Sequence, residues 1–325
     1  METTYASVED GGEQEINYIP YLSTLAKQNT SFSDGEGLGG FHNSAKTGYT
    51  MGALLSTTAG IPFSFPIGYN DMGQRNSFAS NLTTLGDILS GLGYTQEFLC
   101  GSDSNFAGRD IYFRQHGNYE IFDLFTAREK GYIAEDYFEF WGYEDKILYE
   151  IAKDELTRLS EGDKPFNLTM LTVDTHHVSG YLCSECGDEY KTQTENVVSC
   201  ADRLLGNFID WCRKQDFWED TVIVITGDHP RMDTDMVEGV DYYDRTIYNC
   251  FINSEKEPVN TYNRLFTSLD MFPTILSALG YEWGGSRLGI GTDMFSNMPT
   301  LAEQIGYNEL NTELSKSSKF YKRFY

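Results

Sequence analysis

The chain has 325 residues, 40% hydrophobic and 14% aromatic, enough to bury a sizeable core and to exclude wholesale disorder. Against 24 lysines and arginines stand 49 acids, a formal net charge of −25. So acidic a surface repels phosphate backbones and anionic bilayers, which excludes a nucleic-acid-binding role and requires a local cation wherever a phosphate is held.

No apolar run approaches the roughly 18 residues of a membrane span. Met1 leads straight into the polar Glu2-Thr3-Thr4, unlike a signal peptide. A buried parallel sheet ordinarily opens on an apolar strand, and none precedes Glu2, so a piece of a longer chain is expected. Ile19 to Asn29 reads as a helix with Leu22 and Leu25 on its apolar side. A Gly- and Ser-rich loop over 30–49 leads into Met51 to Ala59, small and apolar like a short buried helix. Leu85 to Leu92 is helical in pattern, closed by Gly93, and Thr95 to Cys100 is a short strand.

Further on, Glu144 to Leu159 is an amphipathic helix, and Phe166 to Val173 is an apolar run suited to a strand buried on both faces. A helix over Glu195 to Lys214, a second buried strand over Thr221 to Thr226 and a helix over Ser268 to Leu279 complete the pattern. No linker divides the chain, so residues 1–325 are expected to form one α/β domain, a mostly parallel sheet with helices on both faces. Ligands of such sheets bind beyond the carboxyl ends of the strands.

Both apolar strands end there in acid and imidazole: Asp174-Thr175-His176-His177 and Gly227-Asp228-His229-Pro230. Either cluster alone suits a polar loop cap, but two together suit a divalent-metal or catalytic site. Thr50 stands where a loop becomes a helix, either as a plain N-cap or beside the free N–H groups that attract phosphate. Gly35-Glu36-Gly37-Leu38-Gly39-Gly40 fits a dinucleotide fingerprint only literally, since no apolar strand precedes it and Glu36 sits where a pyrophosphate would lie. Among six cysteines, Cys183 and Cys186 form a C-x-x-C pair open to three readings: a loop-stapling disulfide, uninvolved thiols, or a metal site with Cys200 and His177. A pairing of Cys183 with Cys186 or Cys200 is expected of an exported protein.

In this order and spacing, Met1-Glu2-Thr3-Thr4, Gly48-Tyr49-Thr50-Met51-Gly52-Ala53-Leu54, Thr175-His176-His177 and Gly227-Asp228-His229 resemble a known family. It is that of the lipoteichoic acid synthase-like phosphoglycerol transferases, extracellular catalytic domains of the alkaline phosphatase (sulfatase-like) superfamily. Asn105-Phe106-Ala107-Gly108-Arg109-Asp110 and Arg287 to Thr292 extend the likeness over almost the whole chain. The resemblance implies one divalent cation, manganese or magnesium before zinc, held by Glu2, Thr50, Asp228 and His229, with Thr50 as nucleophile. It further implies that Arg109 and His176 hold the phosphoglycerol group, with Asp174 and His177 beside them, while a histidine of some members falls at Cys100. Trp141 reads equally as sugar platform or core.

The implied reaction moves phosphoglycerol from phosphatidylglycerol through a glycerophospho-threonine to a glycan or polyglycerophosphate acceptor. It would take place at the outer face of a bacterial membrane, in a protein anchored there. The rivals are a hydrolytic phosphodiesterase or phosphatase, whose extra metal ligands would have to come from His42 and His116, and a non-catalytic glycan-binding module. A sulfatase would want a Cys or Ser in a C/S-x-P-x-R setting, absent around Thr50, and the Gly-Tyr-Thr-Met-Gly-Ala setting fits a phosphoethanolamine transferase poorly.

Overall fold

The α-helices of the computed structural model, which describes residues 1–324, run in chain order from α1 (Pro20–Gln28), α2 (Thr50–Ala59), α3 (Leu85–Gly91) and α4 (Arg109–Gln115) to α5 (Leu124–Glu129). They continue with α6 (Asp145–Ser160), α7 (Gln193–Cys212), α8 (Met271–Ala278), α9 (Leu301–Ile305) and α10 (Tyr307–Ser315). The strands are β1 (Thr95–Cys100), β2 (Glu120–Phe122), β3 (Phe166–Leu171), β4 (Ile223–Thr226), β5 (Asn249–Ile252), β6 (Arg287–Leu288) and β7 (Gly291–Thr292). They belong to two compact units, one built from Met1–Ser64 with Gln215–Lys319, the other from Phe65–Lys214 with the residues from Phe320 onward.

In the first unit β4 pairs antiparallel with β5, Ile223 opposite Ile252 and Thr226 opposite Asn249. The core beneath is aromatic: Phe32 meets Phe251 and Phe295 edge to face, with ring centroids 5.9 and 5.2 Å apart. Phe41, Ile247 and Phe266 close the same cluster. Gly40 makes it possible, since a Cβ there would stand 1.8 Å from the Ile247 carbonyl oxygen, where Phe41 bridges to Ile247.

The second unit holds a wholly parallel sheet in the order β2-β1-β3, with Thr95 opposite Phe166 and Cys100 opposite Leu171. Helices α3 and α6 pack on β1, and α4 and α5 on β2. Phe98 of β1 stacks on Phe113 of α4 with centroids 4.1 Å apart, fixing that helix. The expected strand over Phe166 to Val173 ends at Leu171, and its residues are half-buried rather than enclosed on both faces. The reason is position: β3 is an edge strand of its sheet.

The C-x-x-C pair is not bonded to itself. Cys186 pairs with Cys200 of α7 across a Cα–Cα distance of 5.1 Å, and Cys183, expected in the bridge, is a buried free thiol. No helix among the described residues is long and apolar enough to cross a membrane.

Candidate active site

The apolar run of β4 ends at Gly227, where a Cβ would lie 2.5 Å from the Met1 carbonyl oxygen. Only glycine lets the backbone pass so close, and the chain then turns Asp228 and His229 out of the strand. Asp228 Oδ1 accepts from the His229 backbone N–H at 2.8 Å, and Oδ2 accepts from the Thr50 hydroxyl at 3.1 Å. Thr50 is thus the first residue of α2 and not its N-cap; Tyr49 takes that place and makes no side-chain cap bond. A Cβ on Gly52 would come within 2.8 Å of the Lys46 carbonyl, so glycine there seats the preceding loop on the helix.

His229 Nδ1 lies 2.8 Å from the Pro230 carbonyl, which only accepts, so Nδ1 carries a proton. Nε2 faces Asp228 Oδ2 at 3.3 Å. Burial alone would raise the Asp228 carboxyl, but it lies below its usual range, with His229, the His229 N–H and Thr50 among the groups that lower it. A hydroxyl, a carboxylate and an imidazole nitrogen meeting in this way form a hard donor set that fits a divalent cation.

Glu2 is placed differently. Its carboxylate is 1% exposed and accepts from Arg245 Nε at 2.8 Å, Arg245 Nη2 at 2.6 Å, Tyr5 Oη at 3.0 Å, Thr4 Oγ1 at 3.2 Å and the Arg231 N–H at 2.8 Å. Those donors saturate a carboxylate, whose oxygens offer about four lone-pair sites. Glu2 is therefore engaged by Arg245 and its neighbours, and among the described residues it forms no group with Asp228 and His229 whose ligand atoms all lie within 4.8 Å. Among the described residues, the one group of three His, Cys, Asp or Glu ligand atoms within 4.8 Å of each other is Cys183, Cys186 and Cys200.

The remaining expected residues belong to the second unit. Asp174 is 3% exposed, and neither carboxyl oxygen has a hydrogen-bond partner. Below it, Asp145 accepts from the Val173 and Asp174 N–H groups at 2.7 and 3.0 Å. Burial and then the Asp145 charge push Asp174 up to about 8. Its carboxyl thus lies inside the unit, beneath the loop that carries the histidines.

His176 Nδ1 donates to the His177 carbonyl at 2.6 Å, and the ring packs against Trp141 at 4.9 Å. Trp141 is 37% exposed, which decides against core, and it also contacts Phe106 at 5.8 Å. Arg109 opens α4, donating to Ser102 Oγ at 3.1 Å, the Asp103 carbonyl at 2.7 Å and the Phe106 carbonyl at 3.1 Å. Arg109, Phe106, Trp141 and His176 thereby form one chain of contacts with an exposed aromatic face. Cys100 is buried at the end of β1, and burial pushes its thiol up to about 11.

His42 pairs with Asp34 at 2.8 Å, and His116 with Asp87 at 3.0 Å and the Phe78 carbonyl at 2.7 Å. Neither joins a metal-binding group among the described residues. Two residues escaped the sequence reading: Arg245, whose partner Glu2 is 243 positions away, and Asp145, which looks like an ordinary acid at a helix start.

The α/β fold is similar to that of solved structures, one of them a protein of the alkaline phosphatase superfamily. A structure of a superfamily protein from Vibrio parahaemolyticus superposes with a TM-score of 0.69 at 23% identity, covering 93% of this chain and 69% of that one. The lipoteichoic acid synthase LtaP from Listeria monocytogenes superposes with a TM-score of 0.67 at 19% identity, covering 91% and 72%. The sulfatase family profile matches residues 9–281, running through both units, and the chain belongs to that family. Phosphoglycerol transferase I of Xanthomonas campestris pv. campestris is 30% identical over 258 residues, 77% of this chain. The chain spans only 36% of that relative's length.

Proposed function

We propose that residues 1–325 act as one sulfatase-like catalytic domain that transfers phosphoglycerol from phosphatidylglycerol to a glycan or polyglycerophosphate acceptor. The reading places the reaction at the outer face of a bacterial membrane, in a protein anchored there. The observation that carries it is the Thr50 hydroxyl on Asp228 at 3.1 Å, at the start of a ten-residue helix whose first turn offers free N–H groups. The relative from Xanthomonas supports the choice of transferred group.

Thr50, Asp228 and His229 would hold a divalent cation, manganese or magnesium before zinc, with Glu2 as a fourth ligand only once released by Arg245. When bound, such a cation lowers the pKa of a hydroxyl and stabilises negative charge on oxygen. Thr50 Oγ attacks phosphorus, the bond to the diacylglycerol oxygen breaks, and that oxygen leaves with a proton. The acceptor hydroxyl then attacks the glycerophospho-threonine, and Thr50 regains its proton. The α2 N–H groups suit the phosphate oxygens. The Arg109–Trp141–His176 cluster is assigned to the phosphoglycerol group and to sugar, with His177 beside it.

Intact-mass spectrometry after incubation with phosphatidylglycerol tests this. The wild-type chain should gain one phosphoglycerol group, Thr50→Ala none, and Thr50→Ser a reduced amount. Phosphatidylethanolamine should give no adduct, because a pocket built for hydroxyls leaves its polar groups unpaired against an ammonium. An adduct that persists in Thr50→Ala would overturn the assignment.

A further inference from the structure

We propose that Cys183 is the attacking thiol of an internal disulfide exchange that fastens or frees the loop between His176 and α7. Cys186 of that loop is bonded to Cys200, which is buried on α7. The Cys183 sulfur lies 3.6 Å from Cys186 Sγ, and all three sulfurs fall within 4.8 Å of one another. Exchange starts from a thiol in contact with one sulfur of a disulfide and proceeds with the attacking sulfur in line with the bond that breaks. With all three sulfurs this close, the Cys183–Cys186 segment must turn to reach that line. The sulfur that would depart is also attended: Arg203 Nη2 stands 3.7 Å from Cys200 Sγ and donates to the Glu185 carbonyl at 2.5 Å. A guanidinium at that place stabilises a thiolate and so makes Cys200 the better leaving group.

In the exchange the Cys183 thiol gives its proton to solvent and the thiolate attacks Cys186 Sγ. The 183–186 bond forms, the 186–200 bond breaks, and the electron pair leaves on Cys200 beside Arg203. One thiol and one disulfide enter and one of each emerges, so no oxidant or reductant is consumed. The consequence is mechanical. Before exchange the loop is covalently tied to α7; afterwards its bridge closes within Cys183-Ser184-Glu185-Cys186, and the Gln193 side chain on the Gly180 carbonyl at 2.8 Å is a remaining tie. Burial pushes the Cys183 thiol up, with Asp174 adding to the push and Lys146 of α6 opposing it. At low pH the 186–200 bridge should therefore stand unattacked.

The test is disulfide mapping. The chain is held without reductant at about pH 6 or about pH 9, on either side of an ordinary thiol pKa. It is then quenched in acid, labelled with N-ethylmaleimide under acidic denaturing conditions, and mapped by peptide mass spectrometry without reduction. Cys100, Cys212 and Cys250 are free and take label throughout. Of the other three, Cys183 alone should be labelled at the lower pH and both Cys183 and Cys200 at the higher, with a matching 183–186 bridge that disappears on return to low pH. Cys183→Ser should keep the 186–200 bridge at both pH values with Cys200 never labelled, and Arg203→Gln should lower the Cys200-labelled fraction. Label that, among Cys183, Cys186 and Cys200, stays on Cys183 alone at every pH overturns the proposal. So does label on all three cysteines together with one equivalent of zinc released, which would make the cluster a metal site.

Discussion

A carboxyl buried without a partner keeps its proton, because the neutral form is the cheaper one to desolvate. Asp174 is in that position and Glu2 is not, although both are almost fully buried. Glu2 has Arg245 against it, whereas Asp174 has the like charges of Asp145 and Glu144 nearby. With its folded value near 8 and an unfolded value near 3.8, Asp174 binds a proton in the folded chain that the unfolded chain has released. Its contribution to stability therefore falls as pH rises from about 4 to about 8. Asp174→Asn should flatten that fall, matching wild type near pH 4 and being the more stable of the two near pH 9. Urea denaturation at a series of pH values measures it, and a variant equally shifted at every pH would refute the argument.

Elements, unlike single contacts, announce themselves by local pattern. The strand over Thr95 to Cys100 is legible to the residue because a short segment ending in Phe98-Leu99-Cys100 follows a Gly-closed helix, and α6 because its apolar spacing is helical. The α7 terminus carries a capping box as well: Thr192 Oγ1 accepts from the Glu195 N–H at 3.2 Å, and Glu195 accepts from the Thr192 N–H at 2.7 Å. Thr192→Ala should cost about 1 kcal/mol, about 1–2 °C in Tm for a chain of this size, by calorimetry. An unchanged Tm would mean that the tertiary contacts of α7 alone hold its first turn. What local pattern could not supply was pairing. Nothing in Asn249–Ile252 signals a strand until β4 lies beside it, and C-x-x-C spacing points to a bridge that the fold instead makes to Cys200, 14 residues on. The site divides in the same way. Thr50 and Asp228 are each visible as loop-to-helix and strand-end residues, and the fold brings their side chains to 3.1 Å of each other. The engagement of Glu2 by Arg245 depends on a separation of 243 residues and leaves no trace in spacing.

At the scale of the whole molecule, charge sets the terms of any encounter with lipid. A formal net charge of −25 repels a bilayer of phosphatidylglycerol, which carries a negative charge on every head group. The proposed donor is therefore approached against the general field, and only at short range do local cations such as Arg109 act in its favour. Salt shortens the reach of the repulsion, with a screening length near 30 Å at about 0.01 M and near 8 Å at about 0.15 M. Contacts made within a few ångströms inside the site are screened far less. Raising the salt should thus help association more than it harms binding, the reverse of what a basic membrane protein shows. On vesicles of pure phosphatidylglycerol, at constant divalent metal, adduct formation on Thr50 should speed up several-fold between those two salt concentrations. With the donor diluted into neutral phosphatidylcholine, the same change in salt should leave the rate within about twofold, since little surface charge remains to be screened. A rate on pure phosphatidylglycerol that falls with salt would mean that a cationic surface patch, and not the net charge, governs the approach.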